Sequence, residues 1–294
     1  MKRTLKTTFA LAALLAIGAS SIFACPLVYV VNFSGQFGIM DLANGVFIPI
    51  GKGFENSQDG IAGAPGGPFY TIDGVTGHLL RITRDGKATD VGDTRTGPNV
   101  GPTGISILSA LTDGTIYALD FSNRLYKVNT NTGTLMPMQA LSLPPQENEY
   151  IGNMVTSLAG DGSNLYYTLE IFEGKRKLAP TIFTIDPVKQ TVTSKPLKNA
   201  GIVIGSGFIN GALYLFTGPG EIYRANPATG DAELVSKYDA GNVGPEGPPL
   251  TGVFGAINTP DPFAIAQPTK TPEVETRMPQ GRQNWPARHW VRIK

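Results

Sequence analysis

A repeat constrains this chain more than any other feature. An apolar residue followed by Tyr recurs five times, at Val28-Tyr29, Phe69-Tyr70, Ile116-Tyr117, Leu165-Tyr166 and Leu213-Tyr214, with Tyr spacings of 41, 47, 49 and 48. A second alternating segment follows each pair: Phe37 to Asp41, Leu79 to Ile82, Leu125 to Asn129, Ile182 to Asp186 and Ile222 to Asn226. Alternation of apolar with other residues marks a strand with one face buried. A tight turn comes next, at Asn44-Gly45, Asp85-Gly86, Thr132-Gly133, Val188-Lys189 and Thr229-Gly230. Only the fourth lacks the Gly that a positive φ favours. An outer strand closes the unit, as in 46–50 and 232–236, and a small-residue-rich apolar stretch precedes most Tyr pairs, at 105–108, 153–158 and 202–208.

Four strands in a unit of about 40–50 residues is the pattern of a propeller blade. The expected fold is all-β, a propeller of five four-stranded blades. Helical solenoids fit badly, because 36 Gly and 23 Pro interrupt nearly every window long enough for an amphipathic helix. The first unit has no room for an inner strand. The segment Thr251-Gly252-Val253-Phe254-Gly255-Ala256-Ile257 parallels Thr103-Gly104-Ile105-Ser106-Ile107 and is expected to pair with the first unit and close the ring. Closure removes open sheet edges. A sixth blade would need a strand starting at Phe263 to Ala266.

The opening unit resembles the YVTN-type β-propeller repeat of surface-layer and secreted proteins. The residues that carry the resemblance are Val28-Tyr29-Val30-Val31-Asn32, Ile39-Met40-Asp41 and Ile48-Pro49-Ile50-Gly51, with Val31 where that family has Thr. The later units are similar to NHL or PQQ-type repeats as well. The resemblance implies an extracytoplasmic propeller and no particular activity, since propellers host many functions.

The N-terminus reads as a signal peptide over residues 1–24, with Lys2, Arg3 and Lys6 before an apolar run from Phe9 to Ile17. That run is too short for an ordinary membrane span. Cleavage after Ala24 would give a secreted or periplasmic protein. Alternatively, Ile22-Phe23-Ala24-Cys25 resembles a lipobox, and Cys25, the single Cys of the chain, would be a lipidation site anchoring the protein to the cell envelope. The propeller is expected over 25–267, followed by a disordered basic tail, 268–294, that carries Pro268, Pro272, Pro279 and Pro286, both Trp residues and His289.

The whole chain has a formal net charge of +1, but the leader and the tail are basic, which leaves 25–267 at −6. An acidic body argues against a nucleic-acid partner. A disulfide scaffold and a Cys-based zinc site are excluded by the single Cys, and Cys25, either lipidated or a mature terminus, is not expected to be a catalytic thiol. The two His residues, His78 and His289, and the lack of a G-x-S-x-G elbow leave no readable nucleophile system.

Carboxylates remain. Alternation of chain direction places two loop sets on one face. The first holds Glu55, Asn56, Asp59, Asp93, Glu147, Asn148, Glu149, Asp239 and Glu246, and the second holds Asn32, Asp73, Asp120, Asn123, Glu170 and Glu173. Such oxygens could bind Ca²⁺ or supply an acid and a base for glycosidic cleavage, with Asp59, Asp120, Glu149 and Glu170 as catalytic candidates. Exposed acids are otherwise simply solvated. Asp41, Asn129, Asp186 and Asn226 recur at one repeat position and read as turn caps, and the five Tyr residues read as core. The connectors Asn99-Val100-Gly101-Pro102 and Asn242-Val243-Gly244-Pro245 read as a repeated turn. The expected function is a binding or scaffold protein without a cofactor, recognising a protein or a surface glycan. The competing expectation is a carboxylate-dependent hydrolase or lyase acting on a glycan.

Overall fold

The structure, a computed structural model, describes residues 26–32, 35–64, 67–95, 105–120, 124–138, 155–169, 172–173, 176–177, 180–238 and 253–258. Every regular element among them is a strand. The first three are β1 (Leu27–Asn32), β2 (Phe37–Asp41) and β3 (Phe47–Pro49). Next come β4 (Ala62–Gly63), β5 (Phe69–Ile72), β6 (His78–Ile82) and β7 (Ala88–Asp93). The third unit supplies β8 (Ile105–Ala110), β9 (Ile116–Asp120), β10 (Leu125–Val128) and β11 (Leu135–Pro137). The fourth supplies β12 (Val155–Gly160), β13 (Leu165–Leu169), a small hairpin of β14 (Phe172–Glu173) and β15 (Arg176–Lys177), then β16 (Thr181–Asp186) and β17 (Thr191–Pro196). The fifth supplies β18 (Val203–Ile209), β19 (Ala212–Thr217), β20 (Glu221–Ala225) and β21 (Ala232–Lys237), and β22 (Val253–Asn258) ends the described chain.

These strands form a five-bladed β-propeller. Blades 2 to 5 are the antiparallel sheets β4-β5-β6-β7, β8-β9-β10-β11, β12-β13-β16-β17 and β18-β19-β20-β21. Blade 1 is β22-β1-β2-β3, so the C-terminal segment supplies its inner strand, with Tyr29 opposite Ile257 and Val30 opposite Ala256. The ring closes as the sequence predicts. A parallel bridge between Ser206 of β18 and Gly255 of β22 joins blade 5 to blade 1. The segment 263–266, where the alternative of a sixth blade would start, lies outside the described residues, as do the leader, Cys25 and the tail.

The core sits between blades, and this explains the apolar-Tyr repeat. Successive residues of a strand point to opposite faces. In blade 4, Leu165, Tyr167 and Leu169 pack with Leu119 and Leu125 of blade 3, whereas Tyr166 packs with Leu213 and Leu215 of blade 5. The same split recurs in blade 5, where Leu213 and Leu215 face blade 4 and Tyr214 joins Val28 and Val30 of blade 1. Tyr29 lies 4.6 Å from Phe69 of blade 2, ring centre to ring centre. In each case the apolar residue faces the preceding blade and the Tyr the following one.

The turns between third and fourth strands follow the predicted caps. Oδ1 of Asp41, Asn129, Asp186 and Asn226 accepts the N–H of Ala43, Asn131, Val188 and Ala228. Four residues after each cap the chain turns left-handed, at Gly45 (φ 72°), Gly133 (φ 76°), Gln190 (φ 57°) and Gly230 (φ 75°). The fourth turn therefore pivots at Gln190, just beyond the expected Val188-Lys189. The turns at Gly45, Gly133 and Gly230 abut the preceding blade's outer strand. A Cβ on Gly45 would collide with the carbonyl oxygen of Lys237, and one on Gly230 with that of Pro196.

Candidate functional site

One end of the ring collects the long connections. Links from an outer strand to the next inner strand span 50–61, 94–104, 138–154, 197–202 and 238–252. The second-to-third-strand turns lie at the same end, and in blade 4 that turn carries the β14-β15 hairpin. The opposite end has short turns, 64–68, 111–115, 161–164 and 210–211. A rigid scaffold with long loops on one face is the usual arrangement of a binding surface.

The inner strands share a distortion near this loop face. Registers slip by one residue between Ile105 and Ile107, Val155 and Ser157, and Val203 and Gly205 of the inner strands, and at Val31/Asn32 opposite β22. In blade 2, Gln58 bridges Asp73 while Ala62 pairs with Tyr70, which leaves one extra residue on the inner side there too. Bulges re-aim side chains and recur beside functional sites. Register makes Gln58 the counterpart of Ile105, Val155, Val203 and Val253, so blade 2 alone is polar at this position.

The residue ending each second strand is polar and buried in four blades: Asn32, Asp73, Asp120 and Thr217. Each caps its own turn. Asn32 Oδ1 accepts the Gln36 N–H, Thr217 Oγ1 accepts the Glu221 N–H, and Asp120 Oδ1 accepts the Arg124 N–H. Leu169 takes the place in blade 4. Asp73 and Asp120, singled out in the sequence, are thus turn caps at one repeat position, whereas Glu173 lies in β14 of the blade 4 hairpin.

Asp120 is 1% exposed, and its Oδ2 receives Arg124 Nε at 2.7 Å and the Tyr126 hydroxyl at 2.9 Å. Asp73 Oδ1 accepts the N–H groups of Val75 and Thr76, and Oδ2 accepts Asn56 Nδ2 at 2.9 Å. Burial pushes the Asp73 carboxyl up, but these donors outweigh it and hold the group below the usual carboxylate range. Asp59, half-buried, precedes β4 and donates its N–H to the Ile72 carbonyl. Its neighbour Gln58 is fully buried, with Nε2 on the Asn56 carbonyl and Oε1 unpartnered. Sequence reasoning passed over Gln58, although its mismatch with the apolar residues of the other blades would have marked it once the register was known.

Elsewhere on this face Glu221 is held below its ordinary range by the Tyr223 hydroxyl and Lys237, and Asp93 by Arg95. Glu149 and Glu170 lie outside the described residues, as do the connectors 99–102 and 242–245. Among the described residues no three His, Cys, Asp or Glu side chains are grouped to hold a metal ion. The inner strands β4, β8, β12, β18 and β22 contain no Asp or Glu, and Asp59 lies between the Gln58 bridge and β4.

No protein-family model matches the chain, and no curated protein does. Solved structures similar to it include the extracellular domain of BT4673 from B. thetaiotaomicron, 16% identical with a TM-score of 0.41, covering 72% of this chain and 27% of that one. Virginiamycin B lyase from Staphylococcus aureus is 12% identical with a TM-score of 0.43, covering 73% of this chain and 71% of that one. YCF48, solved bound to D1 peptide, is 12% identical with a TM-score of 0.38, covering 72% of this chain and 64% of that one. The chain thus spans about a quarter of BT4673's solved chain.

Proposed function

We propose that this chain is an extracytoplasmic binding propeller that recognises a protein segment or a surface glycan through its loop face. The observation that carries the reading is the asymmetry of the ring, with long connections at one end and tight turns at the other. Asp59, just before β4, is the one acid along the five inner segments as described, which fits a scaffold better than a paired-carboxylate centre on the axis. The basic leader with its short apolar run supports export, and Cys25 would add a lipid anchor if it is modified.

Panels of capped peptides and envelope glycans, read by thermal unfolding, test the proposal. A ligand specific to the folded state adds about 2.7 kcal/mol at a hundredfold excess over its dissociation constant. The shift should be weakened by Val75→Arg on the loop face and unaffected by Ser163→Arg on the opposite face. A ligand whose binding responds only to Ser163→Arg would overturn the assignment of the face.

A further inference from the structure

Asp73 and Asp120 end the second strands of blades 2 and 3, at one repeat position, and both are buried. Their charges are met differently. Asp120 faces the Arg124 guanidinium, which reaches it from the solvent side and keeps 42% of its side chain exposed. The residue facing Asp73 across its turn is His78, whose carbonyl accepts the Asp73 N–H. The His78 ring turns away, with Nδ1 2.7 Å from Asp90 Oδ2. Among the described residues no Lys, Arg or His pairs with Asp73, and its donors, the N–H groups of Val75 and Thr76, the Asn56 amide and the Thr76 hydroxyl, are all neutral. Buried charges are usually paired, and here neutral donors stabilise the carboxylate while no cation among the described residues balances its charge.

A second feature of the same spot points the same way. Gln58 and Asp73 are bridge partners, so their side chains lie on one side of the sheet. The Gln58 amide is anchored by Nε2 on the Asn56 carbonyl, while the Asn56 side chain holds Asp73 Oδ2. Gln58 Oε1 is left as a fully buried acceptor with no donor. Buried polar atoms without a partner are rare and destabilising, and a position that four other blades fill with Ile or Val has an apolar solution available. Negative charge and a spare acceptor together call for a ligand that brings positive charge and hydrogen-bond donors.

We propose that the loop face of blade 2 is a cation subsite, in which Asp73, the member of the pair that reaches solvent, receives a guanidinium or ammonium group from a side chain of a protein partner, with the buried Gln58 amide behind it. The partner's cation stands to Asp73 as Arg124 stands to Asp120. This inference rests on the binding reading above and names the chemistry that one part of the face selects.

The probes are capped glycine pentapeptides with a central arginine, lysine or norleucine, together with spermidine and Ca²⁺, titrated into the full chain. Amide chemical shifts at 56–59 and 73–76 report the site. The arginine or lysine peptide should saturate these shifts, and the norleucine peptide should not. Asp73→Asn should weaken binding at least tenfold and Gln58→Leu about threefold, with the fold of each variant checked by the remaining amide spectrum. Asp113→Asn on the opposite face should change nothing. Equal binding of the arginine peptide by Asp73→Asn overturns the subsite, as does equal binding of the norleucine peptide. Saturation by spermidine or Ca²⁺ without the peptides overturns the protein source of the cation. A larger ligand that still binds Asp73→Asn with full affinity would leave the binding reading standing and remove the subsite alone.

Discussion

Gly45→Ala is the substitution that most sharply tests the ring geometry, and Gly211→Ala is its internal control. Both glycines are left-handed, at φ 72° and φ 82°. A Cβ in that region costs about 1–2 kcal/mol, and the stiffer unfolded chain returns about 0.4–1 kcal/mol of it. Nothing lies within 4 Å of a Cβ built on Gly211, so Gly211→Ala should cost only about 1 kcal/mol. Gly45 is different. Its Cβ would collide with the Lys237 carbonyl and crowd the Tyr238 Cα at 2.8 Å, and backbone atoms cannot rotate aside. The outer strand of blade 5 would have to move at the seam that closes the ring. Overpacking of this kind adds about 1–3 kcal/mol, for a total near 3 kcal/mol. At about 2–4 °C per kcal/mol for a domain of this size, Gly45→Ala should lower Tm by about 6–12 °C and Gly211→Ala by about 2–4 °C. Thermal unfolding followed by far-UV circular dichroism reads both. Equal losses for the two variants would refute the contact between the blade 1 turn and the end of blade 5.

The fourth blade offers the converse change: Gln190→Gly removes a left-handed side chain and should raise Tm by a few degrees, about 1 kcal/mol, in the same assay. Arg124→Ala strips the partner from a carboxylate that is 1% exposed and should cost about 2–3 kcal/mol. Adding Asp120→Asn should recover part of that loss in a double-mutant cycle, and strictly additive losses would show that the pair is not coupled. The folded state holds the Asp73 carboxyl below its unfolded pKa of about 3.9, so its contribution is fully present above that value and is lost as pH falls through the folded pKa. The Tm gap between the native chain and Asp73→Asn should therefore be widest at neutral pH and shrink below about pH 4, and a gap that widens in acid would contradict the ionised, hydrogen-bonded carboxylate.

Much of the architecture is legible because a propeller repeats its physics. Tyr29, Tyr117, Tyr166 and Tyr214 are buried because each wedges against the next blade, so spacing alone betrays the blades. The closing strand is visible because Thr251-Gly252-Val253-Phe254-Gly255-Ala256-Ile257 parallels the segment that opens the third unit, Thr103-Gly104-Ile105-Ser106-Ile107. The Asx caps are visible because the same backbone turn demands the same side chain four times. The site is less legible for the opposite reason. Asp120 and Asp73 look alike in sequence, and only the structure shows Arg124 on one and an Asn side chain on the other. Gln58 is invisible until the register aligns it with Ile105, Val155, Val203 and Val253, since a one-residue bulge separates it from any simple periodicity. The weak fourth turn hid its pivot because Gln190 does without glycine what Gly45, Gly133 and Gly230 do with it.

Site-specific photocrosslinking tests the central claim, that the loop face is the binding surface, most directly. A benzophenone amino acid would replace exposed Glu55, Val75 or Pro219 on the loop face, and exposed Asp113 or Ser163 on the opposite face, in the full chain in its native cells. The account predicts a discrete adduct from the loop-face positions and none from the other two. Adducts confined to Asp113 and Ser163 would contradict it.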